Sequence, residues 1–190
     1  HFQFRQRFSK ALLETRYREP AGWKQFIVYQ AGPSCTSVQL VMLNQYLRGL
    51  PTLYTACGQN NLYVELPDGD HLIQQGDYRC HRRDPRPGRC AFYVSDRFMT
   101  FSFQVDVGTF GQPDSRVLGW VGVEGEPLRQ FIDFPGLVLD YEDSPGEGFN
   151  RIQLTPYHTD KDHRQEHPVA FTWYDELIVS QSPIAAPAAN

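Results

Sequence analysis

Four polar side chains occupy alternate positions of a strand-like run near the carboxyl end of the chain: Arg151, Gln153, Thr155 and Tyr157. Ile152 and Leu154 lie between them, which predicts a strand with one polar and one apolar face. A polar strand face that carries a tyrosine and an arginine can bind a ligand. Residues 170–180 follow after a charged loop, and their aromatic and β-branched side chains favour a second strand. We therefore look first for a functional site on this pair of strands.

Two arginines take alternate positions in the strand-like run FQFRQRF at the amino end of the chain. Phenylalanine stands at positions 2, 4 and 8, whereas Gln3, Arg5 and Arg7 point the other way. The pattern predicts a strand with one core face and one solvent face. Either arginine alone is more often an ordinary solvent-facing residue, but two on the same face strengthen the alternative that they form part of a binding surface.

Single polar residues interrupt two otherwise apolar strand-like runs. Lys24 and Gln25 lie in residues 23–30, and Gln39 lies in residues 37–45. A buried polar side chain must find a hydrogen-bond partner. Each of these residues is therefore either a structural hydrogen bonder or part of a site, and the pattern favours neither reading.

Two further features could contact a carbohydrate or an anion. Trp120, in the strand-like residues 116–124, points opposite to Val121 and Val123, and its ring is either part of the core or a platform for a sugar. Residues 79–89 hold five arginines against the one acid Asp84. This loop is either simply solvated or an electropositive lip that attracts an anionic polymer.

The motifs of several enzyme classes are absent or stand in the wrong context. Residues 163–167 match the H-x-x-E-H zinc pattern, but their polar flanks and Pro168 predict a loop, not the stable helix that this site needs. No G-x-S-x-G elbow, P-loop or dinucleotide fingerprint occurs. No strand offers the paired carboxylates that a retaining glycosidase uses, which counts against hydrolysis.

Composition predicts one all-β domain. The chain has 190 residues, 14% of them aromatic, with 15 Gly and 14 Pro, which favours many short strands joined by turns. A formal net charge of −4 argues against general nucleic-acid binding, which rests on a basic excess. No apolar run reaches the roughly 18 residues that a membrane span needs.

The four cysteines are Cys35, Cys57, Cys80 and Cys90, and none of them has C-x-x-C spacing. The common zinc sites are therefore disfavoured. Of the three possible pairings, local closure favours Cys80 with Cys90 and Cys35 with Cys57. If both bonds form, the protein is exported, because the cytosol keeps thiols reduced. The alternative is four free thiols in a cytosolic protein.

The predicted architecture is a two-sheet antiparallel jelly-roll sandwich with one short helix. Eight or more runs have strand character, and Ser9 is placed to cap a short helix through Leu12, Leu13 and Tyr17, which Pro20 and Gly22 end. We expect residues 1–184 to form the domain, with a first strand that could lie upstream of His1. Residues 185–190 are expected to be a tail, because alanine and proline dominate them.

Four stretches resemble a known family. WKQFIVYQ, SCTSVQLVMLNQ, TPYHTDK and above all TWYDELIVS are similar to the concanavalin A-like jelly-roll proteins related to polysaccharide lyases, including the glucuronan and alginate lyase types. The likeness covers most of residues 2–184. It implies a sheet groove for an acidic polysaccharide and, in many members, a structural Ca²⁺.

Such lyases cut uronic acid chains by β-elimination. A cation or amide neutralises the carboxylate, a base removes the C5 proton, and an acid protonates the leaving oxygen. By this resemblance Tyr157 is the acid or base, Arg5 or Arg7 stands beside it, and an amide binds the carboxylate. The predicted catalytic residues are Tyr157, Arg7, Gln39 and His158. The predicted substrate-binding residues are Arg5, Lys24, Gln25, Trp120, Arg151 and Gln153.

The resemblance also suggests a metal and a partner. Asp175, within WYDEL, resembles the carboxylate that ligates Ca²⁺ in this fold class. The alternative is an aspartate that is simply hydrogen bonded at the end of a strand. We expect a secreted or periplasmic monomer that binds acidic polysaccharide and neither nucleic acid nor membrane. It is either a lyase or a non-catalytic carbohydrate-binding module of the same fold.

Overall fold

The computed structural model describes residues 1–16, 22–30, 39–45, 49–57, 80, 90–139, 149–158 and 161–187, and every structural statement below concerns these residues. They form nine strands and one helix: β1 Phe2–Phe8, α1 Lys10–Glu14, β2 Gly22–Tyr29, β3 Gln39–Gln45, β4 Pro51–Ala56, β5 Phe98–Asp106, β6 Ser115–Val123, β7 Arg129–Leu137, β8 Arg151–His158 and β9 Thr172–Val179.

The strands form two antiparallel sheets. The five-stranded sheet has the order β7-β6-β5-β1-β9, and the four-stranded sheet has the order β4-β3-β2-β8. One hydrophobic cluster takes residues from both sheets, so the sheets pack face to face as a sandwich. The prediction of an all-β, two-sheet antiparallel jelly-roll sandwich is confirmed, whereas the extent of the domain stays a prediction.

Aromatic rings from the alternating β1 pattern fill the space between the sheets. Phe2, Phe4 and Phe8 are buried, as the FQFRQRF pattern predicts. Phe2 stacks on Phe103 of β5 at 5.1 Å between ring centroids and meets Phe26 of β2 edge-on at 5.3 Å. Such edge and offset contacts suit the ring quadrupoles. β1 is therefore an interior strand of its sheet whose rings pack against the opposite sheet.

The single described helix is short and is capped by Ser9 as predicted; it ends at Glu14, before the expected Tyr17, which lies outside the described residues. The Ser9 hydroxyl accepts a hydrogen bond from the Leu12 amide at 3.3 Å, which satisfies a free helix N–H group. Leu12 is buried in the core cluster. Among the described residues, no helix is long and apolar enough to cross a membrane.

The disulfide prediction is confirmed for one pair. Cys80 and Cys90 are bonded to each other, with their Cα atoms 5.5 Å apart. Cys57 is also disulfide-bonded, whereas Cys35 lies outside the described residues. Most of the arginine-rich loop, residues 81–89, lies outside them as well.

Strand β2 contains a bulge that matters for the site. The register shifts between Lys24 and Phe26 in the pairings with both β3 and β8. Trp23, Gln25 and Phe26 all face the core, since each is buried and contacts core side chains. Two successive core-facing residues require an irregular step in a strand. The result is that Lys24 on one side of the bulge and Ile27 on the other both face outward.

Candidate functional site

The outer face of the four-stranded sheet brings together five predicted site residues. Lys24 of β2 lies opposite Tyr157 of β8, and residues directly opposite each other in antiparallel strands share a face. Gln153 and Arg151 follow on the same side of β8, since they are two residues apart from each other and alternate with core-packed Ile152. Gln39 lies on the same face of β3. We call this surface the Lys24–Tyr157 face; its residues are Lys24, Gln39, Arg151, Gln153 and Tyr157.

The Lys24 amine and the Tyr157 ring are in direct contact. Lys24 Nζ lies 4.9 Å from the centroid of the Tyr157 ring, which is within cation–π range. On its other side, Lys24 lies opposite Leu43 of β3. Burial lowers the pKa of Lys24, because a half-buried ammonium loses part of its hydration. The neutral amine therefore forms at lower pH than in an exposed lysine.

Tyr157 is open to a ligand. Its side chain is 51% exposed although it stands in a strand beside Lys24. A neutral phenol can donate its proton, and a neutral amine can accept one. The two side chains together are therefore able to take a proton from one atom of a bound molecule and return one to another.

Gln39, Gln153 and Arg151 lie along the same face but away from the contact. Gln153 and Arg151 stand four and six residues from Tyr157, which corresponds to roughly 13 and 20 Å along a strand. Gln39 is similarly displaced from Leu43, the residue opposite Lys24. These side chains can bind other units of a long ligand, but they do not adjoin the Lys24–Tyr157 pair.

Arg5 and Arg7 do not stand beside Tyr157, and that expectation is wrong. Strand β1 belongs to the five-stranded sheet, where Arg5 and Arg7 lie opposite Asp175 and Trp173 of β9. They point away from the core on that side of the sandwich, whereas Tyr157 points away from it on the other. Arg5 also forms ion pairs with Glu124 at 2.5 Å and Glu176 at 3.6 Å.

Gln25 is not placed to bind a substrate, because it faces the core and is fully buried. Its Nε2 donates to Gln6 Oε1 at 2.8 Å, and its Oε1 accepts from the Tyr93 hydroxyl at 2.8 Å. Tyr174 of β9 donates from its hydroxyl to the Gln25 backbone carbonyl at 3.4 Å. Of the two readings that the sequence left open, the structural hydrogen bonder is the one observed. The network also connects the two sheets directly behind Lys24.

His158 and Tyr157 face opposite sides of β8. His158 lies opposite Trp23, whose side chain is in the core. The pKa of His158 is lowered, first by burial and then by the nearby charges of Lys161 and His167. The imidazole therefore tends to be neutral, but it does not point toward the Lys24–Tyr157 contact.

Trp120 lies on the outer face of the five-stranded sheet, opposite Ser102 and Gln130. As predicted, it points away from Val121, which is in the core cluster. Trp120 lines a cavity of about 330 Å³ together with Pro183 and Ile184, which follow β9 in the chain. Sugar stacking on Trp120 stays a prediction, and it would have to occur beside Pro183 and Ile184.

Asp175 is exposed on β9, where its Oδ1 accepts a hydrogen bond from the Glu176 amide at 2.9 Å. Within the described ranges, no group of three or more His, Cys, Asp or Glu side chains is arranged to hold a metal ion. Carbonyl oxygens and other ligands also bind Ca²⁺, so Asp175 as a calcium ligand stays a prediction.

Residues 163–167 form no helix, as the sequence predicted, and His167 Nε2 lies 2.7 Å from the Asp162 carbonyl oxygen.

Two tyrosines on the Lys24–Tyr157 side were missed in the sequence. Tyr29 lies opposite Arg151, and Tyr54 of β4 lies opposite Val41, a neighbour of Ile27. Both are partly exposed. Their alternation with buried Val28 and Leu53 was visible in the sequence, but the bulge in β2 and the position of β4 in the sheet were not.

A second cavity opens at the edge of the sandwich where β8 and β9 lie. It has a volume of about 670 Å³, and its walls include Val28, Val105, Ile152 and Leu177. Arg151 also lines it, so this arginine stands between the Lys24–Tyr157 face and an apolar recess. Its described lining residues include His1 and Arg151 but no lysine, tyrosine or carboxylate, which distinguishes the recess from the Lys24–Tyr157 contact.

A search of solved structures found a similar fold. The marine PL-14 alginate lyase from Aplysia kurodai superposes with a TM-score of 0.60 and 12% sequence identity, over 93% of this chain and 67% of that chain. At this identity the likeness shows a shared fold and nothing finer. No protein-family model and no curated protein matches the sequence of this chain.

Proposed function

We propose that this protein is a secreted polysaccharide lyase that cleaves an acidic polysaccharide by β-elimination at the Lys24–Tyr157 face. The observation that carries the proposal is the contact between a lysine whose pKa is lowered by burial and an exposed tyrosine. The fold shared with an alginate lyase supports the same class of substrate. The Cys80–Cys90 disulfide supports a location outside the reducing cytosol.

The reaction divides between the two side chains. The neutral Lys24 amine removes the proton from C5 of a uronate, and the electron pair left behind forms the C4–C5 double bond. The C4–O bond breaks, and the Tyr157 hydroxyl protonates the departing glycosidic oxygen. General acid–base steps of this kind contribute about 10²–10⁴-fold each. Arg151 and Gln153 bind sugar units further along the polymer.

The direct test is the ultraviolet absorbance of the 4,5-unsaturated uronate product. The protein is incubated with alginate, glucuronan, polygalacturonate and glycosaminoglycans, with and without Ca²⁺. We expect absorbance to rise with at least one of these polymers. Tyr157→Phe and Lys24→Arg are each expected to lower the rate by about 100-fold or more, because one removes the acid and the other replaces the base with a permanently charged group.

The control for Lys24→Arg is Lys10→Arg, which makes the same change on the exposed helix, where Lys10 pairs with Glu14 at 3.6 Å. It should leave the rate unchanged. If Lys24→Arg retained full activity, Lys24 would act only as a cation and not as a base. If no polymer gave an absorbance rise, β-elimination would be ruled out for this panel.

The second candidate is a carbohydrate-binding module without catalysis. The observation in its favour is that Tyr157, Gln153 and Arg151 are exposed along one face, which suits binding of an extended polymer. It predicts retarded migration in gels that contain polyuronate together with a flat absorbance trace. In that case Tyr157→Phe would change neither readout by much.

We also propose a structural Ca²⁺ that Asp175 helps to hold. Treatment with a chelator should then lower the melting temperature, and Asp175→Asn should remove the difference between chelated and calcium-supplemented protein. Identical melting curves with and without the chelator would leave Asp175 as a capping residue for the Glu176 amide.

A further inference from the structure

A row of aromatic rings and arginines runs across the outer face of the five-stranded sheet, on the side opposite Tyr157. The Phe171 and Trp173 rings are stacked, with centroids 5.9 Å apart and planes inclined by 25°. Arg7 Cζ lies 5.0 Å from the Trp173 centroid, and Arg5 Cζ lies 4.9 Å from the Phe98 centroid. We call these five residues the aromatic–arginine row.

The aromatic end of the row is exposed and held in place. Phe171 is 55% exposed and Trp173 is 42% exposed. The Ser9 amide donates to the Phe171 carbonyl at 2.9 Å, and the Phe171 amide donates to Ser9 Oγ at 2.9 Å. The Thr172 hydroxyl donates to the Arg7 carbonyl at 2.9 Å. Two adjacent rings that are both exposed and fixed form a preorganised stacking surface.

The two arginines of the row differ in their charge balance. Arg5 is paired with Glu124 and Glu176, so its charge is compensated. Arg7 has no ion pair among the residues that the structure describes, and its buried Nε–H group has no hydrogen-bond partner there. Buried polar groups are usually satisfied. The uncompensated positive charge of the row therefore lies at Arg7, beside Trp173.

We propose that Phe171, Trp173 and Arg7 form a second binding site for a polyuronate chain, remote from the Lys24–Tyr157 face. The flat rings stack under the apolar faces of pyranose units, and the Arg7 guanidinium binds a uronate carboxylate. The choice of a polyuronate as the ligand rests on the proposed function. Since Lys24 and Tyr157 point outward from the opposite sheet, the second site holds polymer without cleaving it.

Charge favours this occupant over a second copy of the chain. In a symmetric dimer the same patch faces itself, and each Arg7 would approach another arginine-bearing row. A polyuronate offers a carboxylate on every unit instead. Planar guanidinium groups suit carboxylates in both shape and charge.

The test is affinity electrophoresis in gels that contain sodium alginate or polygalacturonate, with neutral mannan as the uncharged control. All variants carry Tyr157→Phe so that the polymer is not consumed. We expect Trp173→Ala and Arg7→Gln each to raise the apparent Kd by about tenfold, because each removes a stacked ring or a charge-assisted contact. Phe171→Ala should have a smaller effect in the same direction.

Arg116→Gln is the matched control for Arg7→Gln. It removes the same charge from the same sheet face, where Arg116 is already paired with Asp133 at 2.7 Å. Tryptophan fluorescence gives a second readout, because Trp23 is buried and Trp173 is exposed. Polymer should quench the emission of the parent and of Trp120→Phe, and this quenching should be lost in Trp173→Ala. Circular dichroism checks that each variant is folded.

The outcomes separate this proposal from the proposed function. If Trp173→Ala binds as tightly as its parent while Arg151→Gln binds weakly, the second site is refuted and the Lys24–Tyr157 face stands. If no absorbance rises in the lyase assay but binding depends on Trp173, the lyase is refuted and the second site stands. Sedimentation could show that the parent is a dimer and that Trp173→Ala is a monomer, while neither binds polymer. That result would refute the polyuronate and identify a second copy of the chain as the occupant of this surface.

Discussion

Lys24 determines the expected pH dependence of turnover. Burial lowers its pKa, so the neutral amine is populated at a lower pH than in a free lysine. A base must be unprotonated, so the rate should rise with pH and level off above the pKa of Lys24. The rising limb should therefore lie below the value of about 10.4 that is typical of an exposed lysine. Initial rates measured across the pH range check this.

The origin of that rising limb can be tested at Leu43, the residue opposite Lys24. Leu43→Gln should restore hydration around the amine and move the limb to higher pH. If the limb kept its position, burial beside Leu43 would not be its cause.

His158 is expected to make folding sensitive to mild acid. Burial, Lys161 and His167 lower its pKa in the folded state, so the unfolded chain takes up a proton first as the pH falls through about 6.5. Stability is therefore fully present above that pH and is lost toward the lower folded-state pKa. Urea unfolding at about pH 7.5 and about pH 5 should show a smaller loss in His158→Gln than in the parent.

His163→Gln is the control, because this histidine is exposed in the same region. An equal loss of stability in His158→Gln and the parent would assign the acid sensitivity to other groups.

For single residues, the sequence predicted the face on which a side chain lies better than it predicted the residues which that side chain contacts. Alternation in β8 correctly placed Tyr157 and Gln153 on a face opposite to Ile152. The same reasoning placed Arg7 on a solvent face, which is also correct. It could not show that Arg7 and Tyr157 belong to opposite sheets, because alternation indicates a face of a strand and carries no information about its partner strands.

Gln25 lies at the bulge in β2 and makes buried side-chain hydrogen bonds to Gln6 and Tyr93. Gln25→Met keeps the length of the side chain but leaves Gln6 and the Tyr93 hydroxyl without their partner. We expect the free energy of unfolding to fall by about 1–3 kcal/mol, the usual cost of leaving buried polar groups unsatisfied. Urea denaturation measures this change.

Gln153→Met makes the same substitution on the exposed face of β8. It should change stability by no more than about 0.5 kcal/mol. Comparable losses in both variants would mean that the Gln25 network contributes little to the fold.

The same bulge explains why the strand containing Lys24 was difficult to interpret from its sequence. Regular alternation puts Lys24 on the face of Phe26 and Val28, which is the core face. Only the register shift between Lys24 and Phe26 turns the lysine outward. A bulge is defined by how a strand pairs with its neighbours. This one occurs in the pairing with β8, which is distant in the chain, so local pattern alone could not reveal it.

The Cys80–Cys90 disulfide is expected to stabilise the whole molecule. Both cysteines are buried and pack with Leu50. Closing a loop of this size restricts the unfolded chain, and its loss should cost about 2–4 kcal/mol. The double variant Cys80→Ala with Cys90→Ala should therefore unfold at lower urea concentration than the parent.

The comparison is made without reductant, so that the disulfide of Cys57 stays intact in both proteins. An unchanged unfolding midpoint would show that the Cys80–Cys90 bond does not limit stability.

The fold class itself was predictable, since turn-rich composition and alternating runs indicated a sandwich. The order of strands within each sheet was not, because β1 and β9 pair across nearly the full length of the chain.

Strand β9 has a further consequence for the behaviour of the protein in solution. It is an outer strand of its sheet, and Leu177, Ile178 and Val179 are exposed along it, a combination that usually invites edge-to-edge aggregation. Glu176 interrupts it with a backbone φ of +51°, and Asp175 adds a second negative charge at the same point. We expect a distorted and acidic step of this kind to hinder another strand from continuing the sheet at β9, despite its apolar end.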